Sequence, residues 1–147
     1  MNWEFRASVV DDAGWMAELR AEVMRADLER LGRFDPARVR ARFLGAFVPA
    51  HTRVIVLDGA DVGLIALRPE RDEQWLEHFF LRRELQGRGI GGEVLARVLA
   101  GRDEALPVRL NVLRGSAARR LYERHGFVLD REDPIDVFLT LPARPPA

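Results

Sequence analysis

Seven residues, Gln86-Gly87-Arg88-Gly89-Ile90-Gly91-Gly92, separate an apolar strand-like run from a helix-like run, and four of the six residues from 87 to 92 are glycine. Glycine has no Cβ, so it admits left-handed backbone where a chain must curl tightly. Successive backbone N–H groups in such a curl converge on one concavity that binds anions. A helix starting near Gly91 adds its unpaired N–H groups and the positive end of its dipole. Arg83 and Arg88 flank the curl and supply charge for charge-assisted contacts. The chemistry this predicts is the cradling of a diphosphate, against the plainer alternative of a turn that only stops a strand and starts a helix.

A rival pattern uses the same residues. Gly87, Gly89 and Gly92 satisfy G-x-G-x-x-G, the fingerprint of dinucleotide-binding oxidoreductases. That fingerprint needs an acidic residue about 20 positions on, at the end of the next strand. The corresponding stretch, PVRLNVL, has none, and too little chain follows to complete a dinucleotide fold. A nicotinamide enzyme therefore ranks below a phosphate cradle of another kind.

Other chemistries are excluded or unsupported by composition. There is no cysteine, so disulfides, a thiolate nucleophile and Cys-bound zinc are out. The three histidines, 51, 78 and 125, are too scattered to suggest a metal site. Lys plus Arg and Asp plus Glu are 23 each, which gives no reason to expect nucleic acid or an anionic membrane as partner. The N-terminus lacks a basic region followed by an apolar stretch, and no run approaches the roughly 20 apolar residues of a membrane span. The expectation is one cytoplasmic domain over 1–147, with a frayed tail from about 142 (PARPPA).

The elements that must hold the glycine curl follow from periodicity. Residues 3–9 alternate as a strand. A helix follows, capped by Asp11 or Asp12 and stopped by Gly32. Asp35 and Pro36 start a second helix, with Val39, Phe43, Leu44 and Phe47 as its apolar face and Arg38, Arg40 and Arg42 on its solvated side. TRVIVLDGADVGLIALRP is a hairpin turning at Asp58-Gly59. Residues 74–81 form a strand, 91–101 a helix burying Val94, Leu95, Val98 and Leu99, and 107–113 a strand parallel to the first of that βαβ unit. Residues 116–126 form a helix between Ser116 and Gly126, and two short strands close the chain. The order β-α-α-β-β-β-α-β-α-β-β describes an α/β domain with a mixed sheet.

Two stretches resemble the GNAT N-acetyltransferases. Gln86-x-x-Gly89-x-Gly91 is similar to the family's acetyl-coenzyme A signature. Ala118, Tyr122, Glu123, Gly126 and Phe127 are similar to the family's last third, where a helix carries Ala-x-x-x-Tyr-Glu and ends at Gly-Phe. The strong resemblance spans residues 75–128, and the two signatures stand in the family's order and spacing. It implies the GNAT fold, with a central parallel pair of strands that splay apart. It also implies that the pantetheine arm pairs with backbone near Phe79, Phe80 and Leu81, and that the pyrophosphate lies on Gln86, Gly87, Arg88, Gly89, Ile90 and Gly91, beside Gly92. The reaction implied is direct attack of a primary amine on the thioester, with acetyl-CoA as cosubstrate and no metal.

Attack requires a neutral amine, although an alkyl ammonium titrates near 10. A base helps, and Glu77 is the candidate, alone or through water. Strand alternation puts Trp75, Glu77, Phe79 and Leu81 on one face. Aromatic neighbours there would raise a carboxyl pKa by desolvation; the alternative is a salt-bridged glutamate. Tyr122, the only tyrosine, matches the family's general acid, against a packed helix tyrosine. Ser116 stands where the family often has Asn, leaving its contact to the pantetheine open. His78 faces away from Glu77, and His125 caps or packs.

Trp15, Met16, Leu19, Phe34, Phe43, Phe47 and Trp75 are either acceptor wall or plain core. The acceptor, a small molecule or a peptide, is not specified by the sequence, and neither is the homodimer common in the family. A non-catalytic acyl-CoA sensor is the alternative from another functional class.

Overall fold

The computed structural model describes residues 2–146. β1 (Trp3–Ala7) leads through a 3₁₀ turn (Val10–Asp12) into α1 (Ala13–Arg30) and α2 (Pro36–Ala46). Then come β2 (Thr52–Leu57), β3 (Ala60–Pro69), β4 (Gln74–Leu81), α3 (Ile90–Ala100), β5 (Val108–Leu113), α4 (Ala118–Arg124), β6 (Val128–Glu132) and β7 (Asp136–Leu141). The expected order of helices and strands is the observed one. The strands lie in one mixed sheet, β1-β2-β3-β4-β5-β7-β6. β4 and β5 are parallel, as the βαβ unit requires, but their ladder registers only Gln74↔Val108 and Trp75↔Arg109. Among the described residues no helix is long and apolar enough to cross a membrane.

Two compact units are distinguished. One holds the chain up to Ala66 together with His78–Gly91; the other holds Leu67–Glu77 and the chain from Gly92 onward. In the first, Met16, Ala17, Leu19, Phe43, Val54, Val56 and Leu64 form a buried cluster, with Trp15, Val23, Phe47 and Phe80 packed against it. Asp58 and Gly59 turn the β2–β3 hairpin with φ of 50° and 80°, the left-handed pair that a tight hairpin demands. In the second, α3 buries Val94, Leu95, Val98 and Leu99 as its periodicity predicts. Val108, Leu110, Val137 and Leu139 are buried on the paired strands β5 and β7.

Several local expectations change. β1 stops at Ala7, and the Ser8 hydroxyl that follows shares its hydrogen between the Pro49 and Thr52 carbonyls, at 3.0 and 2.8 Å. Asp12 does not cap α1 with its side chain. Its buried carboxylate instead accepts from Arg6 at 2.7 and 3.0 Å, from the Val9 N–H at 2.9 Å and from the Trp15 indole N–H at 2.9 Å. Leu44 is 52% exposed, off the face that Val39 and Phe43 bury. Regular α4 begins at Ala118, although the Ser116 hydroxyl accepts the Ala118 N–H at 3.2 Å as a cap would. In the tail, whose last residue lies outside those described, the Arg144 backbone N–H donates to the Glu104 carbonyl at 2.8 Å. Other signals hold: Asp35 accepts the Arg38 N–H at 3.2 Å, and Gly32 ends α1 at φ 70°.

The Arg6 guanidinium holds the Asp12 carboxyl well below the usual carboxylate range, against the desolvation that would raise it. A carboxylate with a depressed folded-state pKa stabilises the fold above its unfolded value, near 3.9, and loses that contribution as pH falls toward the folded value. Asp12→Asn is therefore expected to cost about 2 kcal/mol at pH 7. It should also flatten the decline of Tm below about pH 5; thermal melts of both proteins across that range check it.

Candidate active site

β4 ends at Leu81, and the chain enters the glycine curl through a 3₁₀ turn, Arg83–Leu85. Leu85 and Ile90 are 7% and 0% exposed, whereas the four residues between them are exposed. The curl is thus a short bridge between two buried anchors. Gly87 and Gly89 have φ of 74° and 88°, and a Cβ at either would meet nothing within 4 Å. Only glycine adopts this backbone without strain, and the space around it is open. α3 begins at Ile90, one residue earlier than its periodicity suggests, so its first N–H groups adjoin the curl. This arrangement fits a diphosphate: left-handed backbone, a helix N-terminus and room. Arg83 and Arg88 are exposed and make no ion pair among the described residues, which leaves both charges available.

Gln86 has a different part. Its backbone N–H donates to the Arg83 carbonyl at 3.1 Å and its side-chain amide to the Leu81 carbonyl at 3.0 Å. It braces the turn. Gly92 opens the second unit's part of α3. A Cβ there would lie 3.9 Å from Leu121 and His125, an ordinary packing distance, so space alone does not demand glycine.

β4 departs from simple alternation. His78 has φ of 53°, a left-handed residue inside a strand. The single face expected for Trp75, Glu77, Phe79 and Leu81 is therefore interrupted between Glu77 and Phe79, because two-residue alternation holds only for extended backbone. The His78 ring packs edge-on against Phe43 at 5.0 Å and lies 6.5 Å from Phe80. The Phe80 carbonyl turns toward β3: a Cβ on Gly63 would be 2.4 Å from its oxygen. The Arg82 N–H donates to Val62 on the same side, at 2.9 Å. Strand geometry then aims the backbone of Phe79 and Leu81 at the opposite edge. On that edge the Leu81 carbonyl is taken by the Gln86 side chain.

In the second unit, Glu77 is a salt-bridged glutamate. Arg68 donates to it at 3.1 Å, also pairs with Glu70, and lies 6.0 Å above the Trp75 ring. The Arg68 guanidinium thus stands beside both the Glu77 carboxylate and the Trp75 ring. Arg68 was identifiable: ALRPERDEQWLE reads as two strands joined by a turn, which makes Arg68 a cross-strand neighbour of this stretch. Trp75 itself donates its indole N–H to Glu73.

Tyr122 lies on α4, 7% exposed, its ring edge-on to Phe127 at 5.7 Å. Burial pushes its hydroxyl pKa up, so it stays protonated at neutral pH. The hydroxyl has no hydrogen-bond partner among the described residues. Ser116 lines an open cleft with Leu113, Arg119, Arg120, Glu123 and Val137. The remaining candidates for an acceptor wall are mostly core: Met16, Leu19 and Phe43 are buried, and Trp15 and Phe47 pack against them. His125 donates its Nδ1–H to the Leu121 carbonyl, 2.9 Å away, as a packing and capping residue.

A family profile described as Acetyltransferase (GNAT) domain matches residues 49–129. A search of curated proteins finds no significant match. Among solved structures, the PaiA N-acetyltransferase of Thermoplasma acidophilum in complex with coenzyme A is 18% identical, with a TM-score of 0.73 over 95% of this chain and 98% of that one. The ribosomal-protein-S18-alanine N-acetyltransferase of Escherichia coli is 14% identical, with a TM-score of 0.75 over 99% and 97%. An acetyltransferase of Thermus thermophilus is 17% identical, with a TM-score of 0.73 over 95% and 96%. At these identities the likeness is one of fold. The dinucleotide fingerprint among the glycines gives way to the family match.

Two glycine substitutions separate stability from binding. Gly63→Ala drives a Cβ into the Phe80 carbonyl and is expected to cost about 2 kcal/mol by overpacking, read as a lower Tm. Gly89→Ala has open space but a left-handed φ, a strain of about 1 kcal/mol. It should lower coenzyme affinity more than Tm, measured by calorimetric titration with acetyl-CoA.

Proposed function

Because the chain belongs to the GNAT acetyltransferase family, we propose that it transfers the acetyl group of acetyl-coenzyme A directly to a primary amine of a small molecule or a peptide. The observation that carries this is the exposed Gly87–Gly89 curl, left-handed at both glycines and set at the start of α3. Its backbone donors from Gly87 onward would hold the pyrophosphate, with Arg83 or Arg88 adding charge. The backbone of Phe79 and the Leu81 N–H would pair with the pantetheine arm.

In the reaction a C–N bond forms, the C–S bond breaks, and the amine gives up a proton. Glu77 is the proposed acceptor of that proton, directly or through water; it must exchange Arg68 for the amine to act. Tyr122 would serve the leaving sulfur. Its pKa, raised above the usual 10 by burial, exceeds that of a thiol, about 8.5 for cysteine. Complete proton transfer from Tyr122 to the thiolate is therefore uphill. The hydroxyl contributes by donating a hydrogen bond to the developing negative charge, in a dry site where such a bond is strong.

The test is a turnover screen with acetyl-CoA against mixed amines, peptides and aminoglycosides, read by thiol release. With any acceptor it identifies, Tyr122→Phe should lower kcat about a hundredfold, as loss of one acid or donor does, and leave acetyl-CoA affinity unchanged. Undiminished turnover in that variant would remove Tyr122 from the chemistry. Tight acetyl-CoA binding with no turnover across the panel would favour a sensor.

A further inference from the structure

A glycine-rich curl has more freedom to lose on ordering than any other segment. Its affinity for an anion depends on being held in shape beforehand. Ile90, buried at the head of α3, holds one end. The other end is held at Arg82, the residue between β4 and the 3₁₀ turn. The Arg82 N–H donates to Val62 at 2.9 Å, and its carbonyl accepts Leu85 at 3.0 Å, closing the turn. Its Nε donates to the Asp61 carbonyl at 3.1 Å, and its guanidinium lies 6.0 Å over the Trp15 ring.

Trp15 and Asp61 are in turn connected to each other. The Trp15 indole donates to Asp12 at 2.9 Å, and Asp12 accepts the Arg6 fork at 2.7 and 3.0 Å. Arg6 also donates to the Asp61 carboxylate at 3.1 and 2.9 Å. The contacts close a ring, Arg82–Trp15–Asp12–Arg6–Asp61, through β1, the start of α1, β3 and the end of β4. Every member lies in the first compact unit.

We propose that Arg82 is a positioning residue for the phosphate-binding curl, and that Trp15 and Asp12, on and beside α1, set its geometry through this ring. The inference rests on the phosphate role proposed above for residues 87–91. It separates three neighbouring arginines by task. Arg82 is engaged on two sides and shapes the backbone, whereas Arg83 and Arg88 are free to meet negative charge.

Calorimetric titration with acetyl-CoA at two salt concentrations tests this on full-length Arg82→Lys, Trp15→Leu, Trp15→Phe and Arg88→Gln. Asp35→Ala, which removes the α2 cap, is the control for lowered stability alone. Arg82→Lys and Trp15→Leu are expected to weaken binding about tenfold through lost preorganisation, with the salt dependence unchanged. Arg88→Gln should weaken binding and reduce the salt dependence. Trp15→Phe keeps the ring and should lose less than Trp15→Leu.

Backbone amide order parameters at Gly87 and Gly89 in the free protein, read by NMR relaxation, should fall in Arg82→Lys and Trp15→Leu, and not in Asp35→Ala. Wild-type affinity in Arg82→Lys and Trp15→Leu, or equal losses in Asp35→Ala, would overturn the inference. A wild-type protein that ignores acetyl-CoA would instead overturn the proposed function, and the order parameters would still decide whether Arg82 and Trp15 hold the curl.

Discussion

An exposed, left-handed stretch of backbone spans the gap between two buried side chains, Leu85 and Ile90. Gly87 and Gly89 adopt a conformation closed to other residues at low cost, and glycine brings no side chain of its own to hold it there. The restraint must come from the flanks. Leu85 and Ile90 sink into the protein, Gln86 ties itself to Arg83 and Leu81, and Arg82 fastens the last residue before the turn. The packing of α1 and α2 around Phe43 and Met16 supports these flanks, because Phe80 lies against the same cluster.

β4 is where regular structure yields to the site. Its first residues pair with β5 through two registered positions and its last ones lead into the curl. Between them His78 sits at φ 53°, a conformation that costs a non-glycine residue free energy and persists where its surroundings overdetermine it. Phe43 and Phe80 supply those surroundings. At His78 the backbone therefore departs from the extended conformation on which strict strand alternation rests.

Charge is organised just as specifically, although the sum is zero. All 23 of the basic residues are arginine and none is lysine. A guanidinium can hold two carboxylates at once. Arg6 joins Asp12 and Asp61, Arg68 joins Glu70 and Glu77, and Arg109 joins Glu73 and Asp130. Two carboxylates with simpler candidate tasks, Asp12 as a helix cap and Glu77 as a base, are each held by one of these forks.

The sequence by itself determined the order of elements, the glycine curl, the Asp58-Gly59 hairpin, the Asp35 cap and the Tyr122 helix. These depend on neighbours within a few residues, where periodicity, capping and left-handed backbone are written in residue types. Tertiary structure decided what each polar side chain does. Asp12 and Asp61 meet Arg6 from 6 and 55 residues away; Gln86 folds back on Leu81, and His78 breaks the alternation that would have aligned Glu77 with Phe79. An ion pair or a buried hydrogen bond is chosen by which partners packing brings within about 3 Å, and that distance is a property of the folded chain rather than of any local pattern.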